Sequence, residues 1–582
     1  MKLIIKEYLS QLRESGDLDR LLPDLLVRMQ IIPISRPQIG VRQNGVDIAA
    51  VGRDEKGAKR LYLFVLKVGD MGRKDWSGGV NGVRATLEQI EDVYLPTSVR
   101  PEHQSMPVTV VICSTGELKQ ELVQDFKGYG QARKAIYELV YWSGDDLAGM
   151  IDDNLLDEYA VEPSARADLR RALALIGSRD YDLRHAYRVL RSLLLDSHDG
   201  LPAKTAASRK RFIRQLKTSN LVLEIAFRWA AEGKNLLNAF RLGERCCLWA
   251  WEGIRIRDLT RYGRAVKAFE EVYRSHLRIC DAYVKKIGPY CLARDGVSIF
   301  SRENALVTNT VYEQIGVLAE IGLLHLEWAS RCDLGSKSLS DAVVRAHSIA
   351  QLLQVLIHHN SSSSSPRYDE NSIEISLALL LLSVTHQHAG VAGWIRELSS
   401  KLYFTFGVSK SFPIATDSIE DLVAMEIEDL SDEQVQKLRN LSTLIPTVMY
   451  WCANRGLSEP YRLLHAQRDA AFKGVCFQLW YADQSTESHL YREPAQYESG
   501  AMEVPIHFPL QMDELRQREA LKEQSGNIAS LESFSAIAAG FPGLMLMASR
   551  HFRTPMTPQL WLFQQRSDGG DALDMEAADR RG

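Results

Sequence analysis

The chain has 582 residues, too many for one hydrophobic core, so we expect two or three domains. Apolar residues make up 45% of it and charged residues 25%, which excludes a disordered or fibrous protein. The formal net charge of −4 is unevenly distributed, because residues 161–300 hold 27 basic and 15 acidic residues, whereas 301–582 hold 23 and 35.

Cysteine usage and hydropathy predict a soluble protein of a reducing compartment. None of the eight cysteines forms a C-x-x-C pair, and most fall within apolar helical patterns, as reduced core thiols do. The amphipathic start of the chain lacks the apolar segment of a secretory signal. The longest apolar run, 375–384, is about half the length of a membrane span. We therefore expect a cytoplasmic protein with no membrane partner.

In chain order, two helical stretches come first and a β-hairpin follows. The helices are predicted over 3–13 and 18–29. Residues 46–51 and 61–68 are short apolar segments on either side of a polar turn rich in Gly, Lys and Asp. This pattern is typical of a hairpin with a longer loop.

Two charged residues lie within the apolar strands of this hairpin. The first strand carries Asp47 and the second ends in Lys67. Because side chains alternate along a strand, we expect Asp47 to share a face with Ala49, and Lys67 with Val65. An isolated ionised group there costs several kcal/mol, roughly, unless a partner or a metal ion compensates its charge.

Helices and strands alternate through the rest of the N-terminal region. The predicted elements are a helix over 80–95, a strand over 108–113, a helix that begins near 114–117, a strand over 136–142 and a helix over 147–156. The first strands are antiparallel and the later ones are joined by helical crossovers. Residues 1–158 are therefore predicted to form one α/β domain.

From residue 163 onward the periodicity is almost entirely helical. Long helical segments without a fixed repeat predict an α-helical bundle or an irregular solenoid. We expect a basic region over 163–360 and a second, acidic and mostly helical region over 366–565. The serine-rich stretch 361–365 between them is predicted to be a flexible loop, and 566–582 a disordered tail.

The basic middle segment predicts a surface for a polyanion. Its densest stretch contains Lys204, Arg209, Lys210, Arg211, Arg214 and Lys217. Lys and Arg neutralise phosphates without reading sequence, so we expect nucleic-acid affinity with a strong salt dependence. A second cluster, interleaved with Trp249, Trp251 and Tyr262, contains Arg241, Arg245, Arg255, Arg257, Arg261 and Arg264. The alternative is a basic helical face that packs on the acidic C-terminal third of the same chain.

Asp47 in one strand and Val65-Leu66-Lys67 at the end of the next resemble the PD-(D/E)XK motif of restriction-endonuclease-like nucleases, especially their Mrr-like branch. The resemblance implies a restriction-endonuclease-like α/β fold for residues 1–158 and a Mg²⁺ or Mn²⁺ site. Asp47 would be the first ligand, the Leu66 carbonyl the second, and Lys67 would lie beside the attacking water. The chain departs from the motif at Val65, whose side chain cannot ligate a hard cation.

In some members of this family the missing acid comes from the next helix. The resemblance then implies Glu88 or Glu91 as the second acid, with Glu88 as a metal ligand. Both lie on the predicted helix over 80–95, on one stripe with Arg84. The alternative is an ordinary solvated helix face on which Arg84 pairs with the glutamates. If neither glutamate serves, an acid of the first helix such as Glu7 is the next candidate.

Two functions remain open. The first is a Mg²⁺-dependent DNA endonuclease with the layout of a bacterial restriction or anti-phage defence effector. Its helical regions would bind DNA and a protein partner or trigger, and it would form a homodimer, as many relatives do. The second is a catalytically degenerate nuclease fold, marked by Val65, that serves as a nucleic-acid or protein docking scaffold.

Overall fold

The computed structural model of the chain divides into two compact units. It describes residues 2–10, 12–35, 44–54, 57–79, 82–154, 163–196, 203, 205–300, 306–427, 430–492, 501–502, 509–515, 528–555 and 560. Unit 1 consists of Met1–Leu193 and Leu221–Asn235, and unit 2 of Leu194–Asn220 and Leu236–Gly582. Unit 1 thus extends past the boundary expected at residue 158, and unit 2 contains the expected boundary at 361–365.

Unit 1 contains a mixed five-stranded sheet. Its strands are β1 (Ile32–Pro33), β2 (Ile48–Arg53), β3 (Lys59–Lys67), β4 (Val108–Ser114) and β5 (Glu138–Trp142), which lie side by side in chain order. The pairs β1–β2 and β2–β3 are antiparallel, whereas the pairs β3–β4 and β4–β5 are parallel. The predicted hairpin and the helical crossovers between parallel strands are therefore confirmed.

The described residues between 2 and 194 also form α-helices. They are α1 (Lys2–Ser10), α2 (Asp19–Arg28), α3 (Arg73–Ser77), α4 (Val83–Gln89), α5 (Leu95–Thr97), α6 (Gln120–Ala132), α7 (Gly144–Asn154), α8 (Pro163–Leu175) and α9 (Arg184–Leu194). A π-helical turn, Glu14–Leu18, joins α1 to α2, and we call it the N-terminal π-turn. A second one, Ile90–Tyr94, joins α4 to α5, so the helix predicted over 80–95 is composite.

Both faces of β3 are buried, and this explains the apolar residue at position 65. Val65 is 1% exposed and packs in one hydrophobic cluster with Leu63 of its own strand and with Val83 and Leu87 of α4. Phe64, which points to the opposite face, is also buried. Full burial of a Val side chain contributes about 1.5–3 kcal/mol. An acid at position 65 would place a charge in this core.

Unit 2 is built of long helices. With α10 (Ala206–Glu232), whose last turns lie in unit 1, the helices after residue 195 are α11 (Leu236–Ile256), α12 (Gly263–Leu292), α13 (Val307–Ser330), α14 (Lys337–His359), α15 (Ser372–Val384), α16 (His388–Leu402), α17 (Ile419–Ile427), α18 (Asp432–Leu438), α19 (Leu444–Asn454), α20 (Ser458–His465), α21 (Glu487–Leu490), α22 (Ser535–Ala538) and α23 (Gly543–Phe552). Two short two-stranded sheets pair β6 (Leu441–Ser442) with β7 (Cys476–Phe477), and β8 (Trp480–Tyr481) with β9 (Ala501–Met502).

Among the described helices, none is long and apolar enough to cross a membrane. All eight cysteines are free.

The serine-rich stretch is ordered and partly buried, so its prediction as a flexible loop is wrong. Ser361–Ser364 forms a 3₁₀ turn. The Ser363 carbonyl oxygen accepts hydrogen bonds from the Tyr312 hydroxyl and from the Trp394 indole N–H, at 3.2 Å for the latter. Ser364 donates from its hydroxyl to Glu397 at 3.0 Å. Composition indicated exposed backbone here, but buried partners from α13 and α16 hold the turn in place. The expected tail, 566–582, lies outside the described residues.

Candidate functional site

Asp47 lies immediately before β2, beyond the last residue of β2 that pairs with β3. That last pair joins Ile48 to Phe64, and the Asp47 N–H also donates to the Phe64 carbonyl at 2.9 Å. Two consecutive residues thus lie against Phe64, so the regular pairing of the strand does not extend to Asp47. Val46 and Ala49 pack in the same hydrophobic cluster although they are three residues apart. The strict alternation expected around Asp47 is therefore broken.

The Asp47 carboxylate lies against the backbone of β3. Its Oδ2 accepts a hydrogen bond from the Leu66 N–H at 2.8 Å. In an antiparallel pair the N–H and C=O of one residue point towards the same neighbouring strand. The Leu66 carbonyl therefore also faces the Asp47 side of the hairpin, so the structure brings these two predicted ligands together.

Lys67 ends β3, and its ammonium group faces an acid that the sequence analysis missed. Its Nζ lies 3.9 Å from Oε1 of Glu14 in the N-terminal π-turn, with the two side chains 29% and 47% exposed. An acid thus reaches the motif lysine from a different element than the one first considered. Glu7, the alternative acid of the first helix, is an exposed residue of α1. No spacing in the sequence distinguishes Glu14 from Glu7.

Asp47 shares its electrostatic environment with two other acids and with Lys67. Burial raises the pKa of the half-buried Asp47 carboxyl, and the hydrogen bond from the Leu66 N–H opposes this rise. The nearby Glu14 and Asp19 carboxylates raise the pKa of Asp47 further, whereas the Lys67 ammonium lowers it. A bound cation would favour the charged form of Asp47.

Glu88 and Glu91 pair with arginines of their own surroundings. Glu88 lies 3.4 Å from Arg84, one turn away on α4, which is the helix-face alternative considered above. Glu91 lies 2.9 Å from Arg133, whose guanidinium stacks on the Tyr129 ring. The contacts seen in the described residues for Asp47 and Lys67 include neither glutamate. The structure therefore does not bring them to Asp47, and their role in metal binding stays a prediction.

The donor set near Asp47 suits a hard divalent cation. Asp47 and Glu14 offer carboxylate oxygens and Leu66 a carbonyl oxygen, which are ligands that Mg²⁺ prefers. Mg²⁺ keeps several waters and is commonly bound through one or two carboxylates together with substrate phosphates. Over the part of the chain that the structure describes, no three His, Cys, Asp or Glu side chains are grouped to hold a metal ion. Asp47, Glu14 and the Leu66 carbonyl fit an ion that a substrate phosphate helps to coordinate.

The predicted nucleic-acid residues lie at the start of α10. Lys204 lies outside the described residues. Two of the others, Lys210 and Arg214, are exposed and lie about one helical turn apart. The rest are half-buried, namely Arg209, Arg211 and Lys217. The exposed basic surface of this stretch is therefore narrower than the sequence indicated.

Much of the second arginine cluster points into unit 2. Arg257 is buried and donates from Nη1 to the carbonyls of Leu194 and Gly253, at 2.9 and 3.1 Å. Arg241 pairs with Glu313, and the indoles of Trp249 and Trp251 are buried. The expectation of an exposed basic and aromatic surface is wrong for Arg257, Trp249 and Trp251, because they pack inside the helical unit, whereas the Arg241 side chain is 44% exposed. Arg261 and Arg264 are exposed.

A buried charge cluster joins three helices of unit 2. Arg550 of α23 donates from Nε to Glu320 of α13 at 2.6 Å and pairs at its other end with Glu244 of α11. Both glutamates are fully buried, and burial raises the pKa of each, that of Glu320 to about 8. Arg245 donates from Nε to His551 Nε2 at 2.7 Å, so the imidazole proton lies on Nδ1, which faces Glu244 at 3.2 Å. We call this set the Arg550 cluster.

Comparison with known proteins finds no relative. No protein-family model, no curated protein and no solved structure matches the chain.

Proposed function

We propose that unit 1 is a metal-dependent phosphodiester hydrolase, and specifically an endonuclease that acts on DNA. The observation that carries the proposal is that Glu14 lies 3.9 Å from Lys67 while the Asp47 carboxylate accepts a hydrogen bond from Leu66, the residue before Lys67, at the same end of the β2–β3 hairpin. The sheet adds support, because an antiparallel hairpin followed by parallel crossover strands is the order expected from the resemblance to restriction-endonuclease-like nucleases.

Each group at this end of the hairpin has a distinct role. Asp47, Glu14 and the Leu66 carbonyl would hold Mg²⁺ or Mn²⁺, and the hydrogen bond from the Leu66 N–H fixes the orientation of the Asp47 carboxylate. A bound ion of this kind lowers the pKa of water and neutralises charge on the phosphate. The Lys67 ammonium stabilises the negative charge that develops on the attacking water and on the phosphate oxygens.

The helical regions supply binding rather than chemistry in this proposal. Lys210 and Arg214, the exposed pair at the start of α10, would contact backbone phosphates without reading sequence. Unit 2 would receive a protein partner or trigger, as in a bacterial restriction or anti-phage defence effector. A homodimer would supply two hydrolytic sites, one for each DNA strand.

Cleavage of supercoiled plasmid by the full-length protein tests this proposal. We expect nicking with Mg²⁺ or Mn²⁺ and none with a chelator. Asp47→Asn and Lys67→Met should each lose activity, by about 100-fold or more, since each removes a charge that acts in the transition state. Lys59→Met is the matched control, because Lys59 is an exposed lysine at the other end of β3. Cleavage that survives both Asp47→Asn and Lys67→Met would contradict the proposal.

A docking scaffold is the second candidate function. The ion pair between Lys67 and Glu14 favours it, since a lysine held by an acid can serve the structure of a nuclease fold that no longer has activity. This candidate predicts that the protein binds DNA in a gel-shift assay but does not cut it with Mg²⁺ or Mn²⁺. DNA retention should fall steeply with salt, and Lys210→Ala together with Arg214→Ala should weaken it.

A further inference from the structure

The N-terminal π-turn depends on one buried carboxylate. Asp17 lies three residues after Glu14, and its side chain is 3% exposed. Its Oδ2 accepts hydrogen bonds from the backbone N–H of Arg13 at 3.2 Å and from Arg13 Nε at 3.4 Å. These bonds close the turn around the segment that carries Glu14. Because π-helical turns are rarely stable by themselves, this turn requires such support.

Arg228 supplies Asp17 with a countercharge from outside the turn. Its Nη2 lies 3.3 Å from Asp17 Oδ2, and the Arg228 side chain is 22% exposed. Arg228 lies near the end of α10, within the residues 221–235 that belong to unit 1. A carboxylate removed from water needs partners that compensate its charge and donate hydrogen bonds to it. The Asp17–Arg228 pair therefore ties the π-turn to a helix far away in the sequence.

We propose that Arg228 is a positioning residue for the candidate active site: by pairing with Asp17 it fixes the N-terminal π-turn and so holds the Glu14 carboxylate beside Lys67. The inference rests on the proposed function for its catalytic consequence. Its structural part, the placement of Glu14 at Lys67, can be measured without any activity.

The reactivity of Lys67 towards an amine-acylating reagent, read by mass spectrometry of the full-length protein, measures this placement. An ammonium held in an ion pair is shielded from the reagent, and loss of the carboxylate partner exposes it for reaction. Glu14→Gln should therefore raise the rate at Lys67 roughly two- to fivefold, the range expected from a partly exposed ion pair. Arg228→Met should cause a similar rise, and the double variant should add little to either change. Arg228→Lys, which keeps the charge, should restore part of the protection. Arg170→Met, an exposed residue of α8, should leave Lys67 unchanged.

Catalysis gives the second readout. In a protein that cleaves plasmid, Arg228→Met should lower kcat and raise the Mg²⁺ concentration needed for half-maximal rate, while KM for DNA stays within about twofold because α10 keeps its exposed Lys210 and Arg214. If Glu14→Gln raises the reactivity of Lys67 and Arg228→Met does not, the inference is overturned even if plasmid cleavage is found. If neither variant raises it, the placement of Glu14 is wrong and the inference falls with it. A protein that does not cut DNA overturns the proposed function, while the labelling result still decides the role of Arg228.

Discussion

Replacing Arg550 with Met is expected to lower the free energy of unfolding of unit 2 by about 3–5 kcal/mol, because removal of one partner leaves buried charge uncompensated. Arg550 lies between two glutamates on different helices, Glu244 of α11 and Glu320 of α13, and both are fully buried. Urea unfolding, followed by the fluorescence of the buried Trp251 and the other indoles, measures the loss. Arg264→Met, an exposed arginine of α12, is the matched control and should change stability by no more than about 0.5 kcal/mol.

Replacing either glutamate should lower the free energy of unfolding less than replacing Arg550 does. Burial raises the pKa of both carboxyls. Glu244 raises the pKa of Glu320 further, whereas a hydrogen bond with Glu320 lowers the pKa of Glu244, so the pair shares one proton near neutral pH. One charged carboxylate then suffices to balance Arg550. We expect Glu320→Gln and Glu244→Gln to cost about 1 kcal/mol each. The double variant should approach the cost of Arg550→Met, since it leaves the guanidinium without a counter-ion. Additive effects of the two Gln variants would contradict a shared proton.

The sign of the pH dependence follows from the same proton. Burial holds the pKa of Glu320 at about 8 in the folded protein, against an ordinary value of 4.5. The folded state therefore binds more protons than the unfolded chain between these values. Stability falls as pH rises from about 4.5 to about 8. In the Glu320→Gln variant, this decrease of stability with rising pH should be absent.

Replacement of Glu14 is expected to have the largest effect on nuclease activity. Glu14→Gln should lower metal-dependent cleavage by about 100-fold, the scale on which loss of one charge-stabilising group acts. The physical reason is that Glu14 is the acid that lies beside Lys67 and influences the pKa of Asp47, whereas Val65 occupies the motif position in the core.

Glu88→Gln and Glu7→Gln belong in the same experiment, because each tests a different source for the acid. Glu88 pairs with Arg84 on an exposed helix face, and removal of such a pair changes stability by less than about 1 kcal/mol. Cleavage within about twofold of the unmodified protein is expected for both variants. Full activity of Glu14→Gln together with loss in Glu88→Gln would show that the acid comes from α4 instead.

Much of unit 1 could be predicted from the sequence because its elements are locally encoded. The apolar run at 108–113 gives β4, and the two apolar segments around a polar turn give β2 and β3. The orientation of Asp47 was not predictable from alternation, since Asp47 lies beyond the end of β2, where its N–H bonds to Phe64 on the neighbouring strand. The sequence therefore singled out Asp47 and Lys67 as candidate site residues, but not the direction in which the Asp47 carboxylate points.

Long-range pairing explains the remaining differences. Glu14 reaches Lys67 across 53 positions of the chain, and its segment carries no motif. Arg245 is buried and donates to His551, 306 residues away, so composition alone indicated a basic surface where some arginines are in fact buried. The serine-rich turn 361–364 was misassigned for the same reason, because the groups that bury it come from α13 and α16.

Binding of Mn²⁺ to the full-length protein, measured by calorimetry or by the loss of the free-ion paramagnetic resonance signal, tests the central claim most directly. Asp47→Asn is the variant to compare, because the Asn side-chain oxygen can still accept the Leu66 N–H while the carboxylate charge is removed. The account predicts one ion bound per chain and an affinity at least about tenfold weaker in Asp47→Asn at unchanged thermal stability. Equal Mn²⁺ binding by the two proteins, or no binding by either, would contradict it.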